Sequence, residues 1–468
     1  MLTGRSQDRV KRIVIMEEPL QVSARASLVV IGYWFRQQGI WSVIEEGVKI
    51  KQKVRKYSPN QKLLDCFVNI LAGGRGLYET NLRIRPDQAV QQAFGREGCA
   101  EQSTISDTLN ACQVADVEAM RQALTEILRQ HGHSYRHDYE QKWQLLDVDM
   151  TGMPAGRQGE GVTKGYFAGE KNRRGRQLGR VLATWYDEIV VDLLYEGKRQ
   201  LDRSLPELVE FAEETLALSE GQRLRTILRI DGGGGDDDNI NWALDRGYHL
   251  LVKVKNWRRA HKLAATVRHW VPDPKVPERE VGWVGEPFAY GQPTRQLAVR
   301  KCKKDGTWSY HVLVFTLSDE ALFQVAQQSC PDHPTSAELL FIALQAYDRR
   351  GGGLETQIRT DKQGLGLTHR NKQRFAAQEM LVLLAQLAHN VIIWARYPLL
   401  ALDPDFRHFG MVRMVRDVFH IPGLIRLKPD GTIHTIVLKQ THPYAHLFHQ
   451  AFAHCLAIDD LSLILGKI

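Results

Sequence analysis

The 468-residue chain contains little cysteine and no long hydrophobic run. Its six cysteines are scattered and none belongs to a C-x-x-C pair, which excludes a disulfide framework and a zinc ribbon and predicts reduced thiols. No stretch reaches the roughly 18 uninterrupted apolar residues of a membrane span, because polar residues such as Gln378 and His389 interrupt the most apolar segment. The first residues also lack the apolar part of a signal peptide. We therefore expect a cytoplasmic protein without a membrane partner.

Two common enzyme motifs are also missing. The glycine run 232–235 is not followed by Gly-Lys-Ser/Thr, so it is not a phosphate-binding P-loop. No G-x-S-x-G, the turn that carries the nucleophile of many hydrolases, occurs in the chain. The composition is otherwise ordinary, with 43% apolar and 25% charged residues, which excludes a disordered chain, a collagen and a coiled-coil rod. At roughly 100–200 residues per domain, about two to four structural units are expected.

Positive charge is in excess and is unevenly spread along the chain. Lys and Arg number 62 against 54 Asp and Glu, a formal charge of +8. Residues 1–60 hold eleven basic against five acidic residues, and residues 153–180 hold seven against two. One such cluster is usually a solvated surface, but three together favour a nucleic-acid partner, because cations bind phosphate and aromatic rings stack on bases. The third cluster surrounds Trp257 and consists of Lys253, Lys255, Arg258, Arg259 and Lys262.

Apolar residues at helical spacing dominate the first 140 residues. Ser103 and Thr104 are predicted to cap the N-terminus of one short helix. Several short helices in succession suit a helical DNA-binding domain, which we place at 1–140. The predicted helices are Ser27–Gln38, Ser58–Leu71, Pro86–Phe94, Thr104–Cys112 and Asp116–Gln130.

From Lys142 onward the pattern changes to buried strands separated by helices. Residues 152–179 are predicted to form a basic, glycine-rich connection, and the order of the other elements predicts a mixed α/β sheet over 141–255. The predicted strands are Trp143–Asp149, Arg180–Tyr186, Glu188–Tyr195, Thr226–Asp231 and His249–Lys255, and the predicted helices are Pro206–Leu216 and Asp236–Arg246.

Three further segments complete the chain. The first is rich in strand signals. The second contains helices that break at Gly351–Gly353 and a long apolar helix over Phe375–Tyr397. The third contains one clear β-hairpin. These segments are 256–335, 336–400 and 401–468, and the hairpin covers Leu424–Leu438.

Three carboxylates stand at positions that favour a binding site. Asp149 and Asp231 are predicted at strand ends, and Glu355 opens a helix after the glycine break. Ligands bind at the carboxyl ends of strands in α/β sheets. A single acid there is usually a turn or cap residue, but three together can hold two Mg²⁺ ions, which clamp the oxygens of a phosphoryl transfer. Asp147 lies on the same strand face as Asp149 and is the alternative first ligand.

The helix after the glycine break carries further charges. Glu355, Arg359 and Lys362 are spaced i, i+4, i+7 and share one helix face. Tyr347 and Arg350 precede the break. This set suits a phosphate near a metal site, and the alternative is ordinary charge pairing on a solvated face.

These motifs together resemble the insertion-sequence DDE transposases that carry a Tyr-Arg-Glu-Lys signature. The spacings Tyr347 to Arg350 and Glu355 to Lys362 match that signature, whereas Arg350 to Glu355 is one residue longer and contains three glycines. The first two acids match as well: the family has Asp-x-Thr after one strand and Arg-x-Asp at the end of another, and this chain has Asp149-Met-Thr151 and Arg229-Ile-Asp231.

The resemblance implies an α/β, RNase H-like catalytic core that a β-rich insertion interrupts between Asp231 and Glu355, preceded by the helical domain. It implies two Mg²⁺ ions, with Mn²⁺ as a substitute, on Asp149, Asp231 and Glu355. Phosphate groups of DNA would be held by Tyr347, Arg350, Arg359 and Lys362. An aromatic of the insertion would hold a flipped base in relatives that form a hairpin, and Trp257, Trp270 and Trp283 are the candidates.

The implied activity is cleavage of double-stranded DNA at terminal inverted repeats and strand transfer into target DNA. A homodimer would pair two ends in the bacterial cytoplasm, at the nucleoid. Two alternatives stay open at this point: another RNase H-like endonuclease, and a catalytically inactive, transposase-derived DNA-binding protein.

Overall fold

The computed structural model describes residues 20–167 and 170–468, so the first nineteen residues of the basic stretch 1–60 lie outside the described residues. The helices are α1 Ala26–Gln37, α2 Ile40–Gly47, α3 Pro59–Leu71, α4 Gln88–Ala93, α5 Gln102–Ala111, α6 Val114–His131, α7 Leu205–Leu216, α8 Glu220–Arg223, α9 Asp237–Asp245, α10 Trp257–Ala265, α11 Asp319–Ala326, α12 Ser336–Gly352, α13 Leu354–Gly364, α14 Phe375–Leu402, α15 Met411–Arg413 and α16 Ala445–Ala457. The strands are β1 Leu20–Ser23, β2 Gln144–Pro154, β3 Thr163–Phe167, β4 Glu170–Ala183, β5 Glu188–Glu196, β6 Thr226–Ile230, β7 His249–Lys253, β8 Val271–Pro272, β9 Arg279–Trp283, β10 Arg295–Cys302, β11 Trp308–Phe315, β12 Gly423–Leu427, β13 Ile433–Lys439 and β14 Ser462–Gly466.

The helices predicted in the first 140 residues are present. A capping box between Ser58 and Gln61 starts α3, since each side chain accepts a hydrogen bond from the backbone of the other residue. The predicted caps Ser103 and Thr104 are wrong, because α5 already begins at Gln102. Helix α2 and strand β1 were not predicted; β1 pairs with β12, about 400 residues away, and has no local signal.

The central structure is a ten-stranded mixed sheet with the order β3-β4-β2-β6-β7-β11-β10-β9-β8, in which β5 pairs with β4. Strands β2, β6 and β7 are parallel, and β4 is antiparallel to β2. The predicted connection over 152–179 is wrong: most of it forms β3 and β4, and β2 continues to Pro154. The glycines of this segment favour a loop, but the pairing of β4 with both β2 and β5 makes it a strand. Gly179 also has a packing role, because a Cβ there would lie 2.6 Å from the side chain of Leu208.

Strands of residues 256–335 extend this same sheet. β11 pairs with β7, and β10, β9 and β8 follow in antiparallel order. Helices α10 and α11 also lie in this segment, where only strands were expected. The division of the chain at 140, 255, 335 and 400 stays a prediction.

The two faces of the sheet are covered by different helices. Apolar residues of α11 and α12 pack with Leu145, Ile227 and Leu251 on one face, and α7, α9 and α10 pack on strands of the other face. Helix α14 is long and apolar enough to cross a membrane, but its most apolar window is entirely buried inside the protein. It packs against α3, α5, α6, α16 and β5.

The C-terminal segment closes the core of the N-terminal helices. The predicted hairpin is confirmed as β12 and β13, with Gly431 at a φ of +83° in its turn. With β1 and β14 it forms a four-stranded sheet in the order β1-β12-β13-β14. Helix α16 packs on α1 and α14, so residues 401–468 belong to the same hydrophobic core as the first helices.

Candidate functional site

Asp149 and Asp231 lie at one edge of the parallel part of the sheet. The pairing of β2 with β6 ends at Val148 and Ile230, and the two acids are the next residues of each strand. Asp231 does follow the end of its strand as expected. Asp149 does not end β2, which runs on for five more residues along β4. The two side chains are close enough for the negative charge of Asp231 to raise the pKa of Asp149.

The glycine run after β6 fixes the position of Asp231. Its Oδ1 accepts a hydrogen bond of 2.8 Å from the backbone N–H of Gly233. The loop then approaches β7 so closely that a Cβ on Gly235 would lie 1.9 Å from the carbonyl oxygen of Lys253. The backbone N–H of Lys255 donates to the Gly235 carbonyl at 2.8 Å. Glycine is therefore required there for packing.

Helix α13 brings Glu355 to the two aspartates. Leu354 and Ile358 form a small apolar cluster with Leu182 and Ile189, which turns that face of α13 toward the sheet. The side chains of the other face line a cavity of about 360 Å³. Its lining is Asp149, Thr151, Glu355, Ile358, Arg359, Lys362 and Gln363. Asp231 interacts electrostatically with Asp149 but does not line this cavity.

Arg350 lies between two of the predicted ligands. Its Nη2 is 2.8 Å from Asp149 Oδ2, and its Nη1 donates to Glu355 Oε1 at 2.7 Å. Only 5% of its side chain is exposed, and its Nε has no hydrogen-bond partner among the residues that the structure describes. Burial works against the charged guanidinium, but Asp149 and Asp231 raise its pKa overall.

The pKa of Asp149 reflects the same surroundings. Burial raises the pKa to about 6, since it disfavours the carboxylate. Arg350 opposes that rise, and the negative charges of Asp231 and Glu355 add to it. The site is therefore a group of acids whose repulsion a buried cation offsets.

The other predicted phosphate-binding residues surround this cluster. Lys362 donates from Nζ to Thr151 Oγ1 at 2.6 Å, and burial lowers its pKa. Arg359 is exposed at the cavity mouth. Tyr347 is half-buried, and burial raises the pKa of its phenol, with Arg350 opposing. Arg359 and Lys362 thus line the same cavity as Asp149 and Glu355, and Tyr347 interacts electrostatically with the acids without lining it.

Asp147, the alternative first ligand, has a different role. It is fully buried, and Arg229 donates to both of its carboxylate oxygens at 2.6 and 2.8 Å. The same Arg229 donates to the carbonyl oxygen of Ala346 at 2.6 Å. Asp147 and Arg229 therefore connect the strands of the site to α12.

The chemistry of the three acids suits Mg²⁺, but their arrangement does not hold one. Within residues 20–167 and 170–468, no three His, Cys, Asp or Glu side chains lie close enough together to bind a metal ion. The Arg350 guanidinium takes up one oxygen of Asp149 and one of Glu355. A divalent cation shared by these carboxylates would lie against the positive charge of the Arg350 guanidinium, so it does not fit while Arg350 is there.

Lys253 was not recognised as part of the site. It stands at the end of β7 and is half-buried, and its side chain passes 3.7 Å from the Cβ position of Gly232. Burial lowers its pKa, while Asp231 raises it. Its position could have indicated the site, because Lys253 ends β7, which is parallel and adjacent to β6. From the sequence it was assigned only to a basic cluster.

The three candidate tryptophans differ in accessibility. Trp257 is 65% exposed at the start of α10, with Arg258 over its ring at 5.4 Å. Trp283 donates from Nε1 to Ser336 Oγ at 2.8 Å, and Trp270 is covered by Arg300 at 4.4 Å. Trp257 is therefore the most open of the three.

The similarity of this chain to known proteins is one of structure. No protein-family model matches the chain, and no curated protein matches it. Among solved structures, the chain is similar to the piggyBac transposase in its cryo-EM synaptic complex with hairpin DNA. The similarity covers 84% of this chain and 80% of that chain, with 11% sequence identity and a TM-score of 0.46.

Proposed function

We propose that this chain is a DDE transposase, which binds the terminal inverted repeats of an insertion sequence and cleaves and transfers DNA strands. One observation carries the proposal. Asp149, Asp231 and Glu355 are far apart in the sequence, yet they interact electrostatically around a single buried guanidinium. Two cationic side chains of α13, those of Arg359 and Lys362, line the same cavity as Asp149 and Glu355. Phosphoryl transfer needs this combination, because acids handle the reacting oxygens and cations neutralise the phosphate.

The surroundings support a DNA substrate. Arg350, Arg359 and Lys362 would contact the scissile-strand phosphates, with Tyr347 behind them, and phosphate contacts of this kind position DNA without reading its sequence. Trp257, exposed beside Arg258, would stack on an unpaired base. The mixed sheet, which brings Asp149 and Asp231 to one edge, supports the proposed RNase H-like core.

Two Mg²⁺ ions on Asp149, Asp231 and Glu355 remain a proposal, with Mn²⁺ as a substitute. The oxygen donors are of the right type, but Arg350 holds two of the carboxylates. The chain's own side chains would orient the phosphate, with Lys362 and Arg359 neutralising its charge. We further propose a homodimer that pairs two transposon ends, a target duplex as second substrate, and a cytoplasmic location at the bacterial nucleoid.

The test is cleavage of duplex DNA that carries the ends of the element encoding the chain, with Mg²⁺ present. Wild type should cut at the repeat boundary and join the freed end to a target duplex. The variants Asp149→Ala, Asp231→Ala and Glu355→Ala should bind the duplex without cutting it. Asp238→Ala, which removes an exposed acid from the first turn of α9, is the control and should cut normally.

Each remaining outcome favours one of the alternatives. Cleavage without joining would identify an RNase H-like endonuclease. Binding without any cleavage by wild type would identify an inactive, transposase-derived DNA-binding protein. Cleavage by Asp149→Ala would reject the assignment of that residue.

A further inference from the structure

Arg350 occupies the coordination positions of two carboxylates at once. Each terminal nitrogen of its guanidinium contacts a different acid, Asp149 at 2.8 Å and Glu355 at 2.7 Å. The second oxygen of Asp149 accepts a hydrogen bond of 2.7 Å from the backbone N–H of Met150. Each oxygen of Asp149 therefore already has one donor, and the charge of the adjacent guanidinium repels a second cation from this carboxylate until Arg350 leaves it.

The hydrogen bonds of Arg350 are incomplete, which makes its departure feasible. Its Nε is buried and has no hydrogen-bond partner within the described parts of the chain. A buried donor without a partner costs free energy. A guanidinium pairs with phosphate through two parallel hydrogen bonds, so a DNA phosphate offers Arg350 a more complete partner than it has now.

The backbone next to Arg350 has room to move. Helix α12 ends two residues later at Gly352, and Gly353 separates it from α13. A Cβ on Gly352 would meet nothing within 4 Å, and one on Gly351 would meet only Glu355 Oε2, at 4.0 Å. Because glycine adopts more backbone conformations than other residues, Gly351 and Gly352 give the end of α12 freedom to adjust, whereas Gly353 packs against Asp147, whose Oδ2 would lie 3.2 Å from a Cβ there. Glu355, the outer partner, is 55% exposed, so water can solvate its carboxylate once Arg350 has left.

We infer that Arg350 makes metal binding depend on DNA: it neutralises Asp149 and Glu355 until a DNA phosphate takes up its guanidinium, and only then do the carboxylates bind divalent metal. The inference rests on the proposed function, since it needs both DNA and a metal ion at this site. It describes a regulation of that site, which would keep the protein from cutting DNA that is not bound in register.

The test measures Mn²⁺ binding directly, from the electron paramagnetic resonance signal of free Mn²⁺, and needs no catalysis. Wild type is titrated with and without duplex DNA carrying the element's end. Arg350→Met, which keeps the apolar stem of the side chain, is titrated without DNA. Arg349→Met is the matched control, because Arg349 is the neighbouring arginine of α12 but is exposed and donates to Gln327 instead. Asp149→Asn identifies which Mn²⁺ is bound at the site.

We expect DNA to raise the Mn²⁺ affinity of wild type by at least about tenfold, a typical coupling between two sites. Arg350→Met should show a gain of similar size without DNA, and Arg349→Met none. Mn²⁺ binding by wild type that is equally tight with and without DNA would overturn the inference alone, and this comparison stands even if Arg350→Met does not fold. An unchanged affinity in a folded Arg350→Met would also overturn it. A third outcome would reject both the inference and the proposed function: neither wild type with DNA nor Arg350→Met binds Mn²⁺ at a site that Asp149→Asn abolishes.

Discussion

Two clusters of charged residues lie on different faces of α13, and they differ in how fully their charges are paired. In the inner cluster, Arg180 donates from all three guanidinium nitrogens, to both oxygens of Asp192 and to Asp361. The Nδ1 of His389 lies 2.8 Å from the other oxygen of Asp361, and its Nε2 lies 2.8 Å from the carbonyl oxygen of Asp187. The side chains of Arg180, Asp192, Asp361 and His389 are at most 2% exposed.

The outer cluster of Asp149, Arg350 and Glu355 is open by comparison. Glu355 is 55% exposed and the Nε of Arg350 is unpaired among the described residues. The clusters are neighbours, because Asp149 and Arg180 are partners across the β2–β4 ladder. The comparison indicates that the two clusters have different roles. The inner cluster stabilises the position of α13, and the outer cluster has hydrogen-bonding groups still available for a ligand.

Replacing Arg180 by Met breaks the inner cluster and should have the largest effect. Asp192 and Asp361 would stay buried without their cation, which costs about 3–5 kcal/mol of the free energy of unfolding. Urea unfolding followed by circular dichroism measures this loss. Arg199→Met removes the partly exposed pair with Glu207 and should cost less than about 1 kcal/mol. Equal losses in the two variants would show that the inner cluster does not hold the fold.

Glu355→Gln tests the outer cluster in the opposite sense. The exposed side chain contributes little to folding, so the free energy of unfolding should change by less than about 1 kcal/mol. The rate of DNA cleavage should fall at least about 10²-fold, equivalent to about 2.7 kcal/mol of barrier, if the residue acts on the reacting phosphate as proposed. Asp238→Asn, at an exposed acid outside this cavity, serves as the control and should change neither quantity, and a large stability loss in Glu355→Gln would contradict the contrast between the two clusters.

Local patterns predicted the elements of the outer cluster. Strand and helix periodicity located Thr226–Ile230 and the helix after the glycine break, and the strand-end rule selected Asp231. The same rule selected Asp149, although the predicted end of its strand was wrong. The boundary was wrong because pairing with β4 extends β2 beyond Asp149. That pairing depends on residues about 30 positions away, so a pattern read along the chain does not contain it.

The inner cluster was not predicted at all. Arg180, Asp361 and His389 come from β4, α13 and α14 and have no shared motif. A fully buried ion pair forms only after distant elements have packed. From the sequence alone, a charged residue is expected at the solvent-exposed surface. The bridging position of Arg350 is of the same kind, since it depends on the longer spacing to Glu355 and on the burial of the Arg350 side chain at the end of α12.

His311→Gln tests how the charge of Lys253, at the edge of the site, affects the pH dependence of stability. Burial and the charge of Lys253 lower the pKa of His311 from 6.5 to about 4. Above about pH 6.5 the imidazole is neutral in both states and contributes nothing. As the pH falls from about 6.5 toward about 4, the unfolded chain binds a proton that the folded protein does not, so stability is lost.

The loss that His311 causes should approach about 2 kcal/mol at about pH 5. His311→Gln should remove that part of the acid sensitivity, measured as the difference in unfolding free energy between neutral and acidic pH. His408→Gln, at an exposed histidine, should leave the difference unchanged. An unaltered pH dependence in His311→Gln would mean that the histidine is already accessible to protons in the folded protein.

Thr151→Val should give the smallest effect and separates positioning from stability within the outer cluster. Thr151 accepts the only hydrogen bond described for Lys362 Nζ within residues 20–167 and 170–468, at 2.6 Å, and valine keeps the shape while removing that acceptor. One such bond is worth about 1 kcal/mol, so cleavage should slow about fivefold while the unfolding free energy stays nearly constant. Thr356→Val removes a hydroxyl near the start of α13 that donates, among the described residues, to the carbonyl oxygen of Gly351 at the end of α12, and it should not slow cleavage. If both variants slow cleavage equally, cleavage is sensitive to small changes anywhere in α13. The distinction between a stabilising inner cluster and a ligand-binding outer cluster would then not hold.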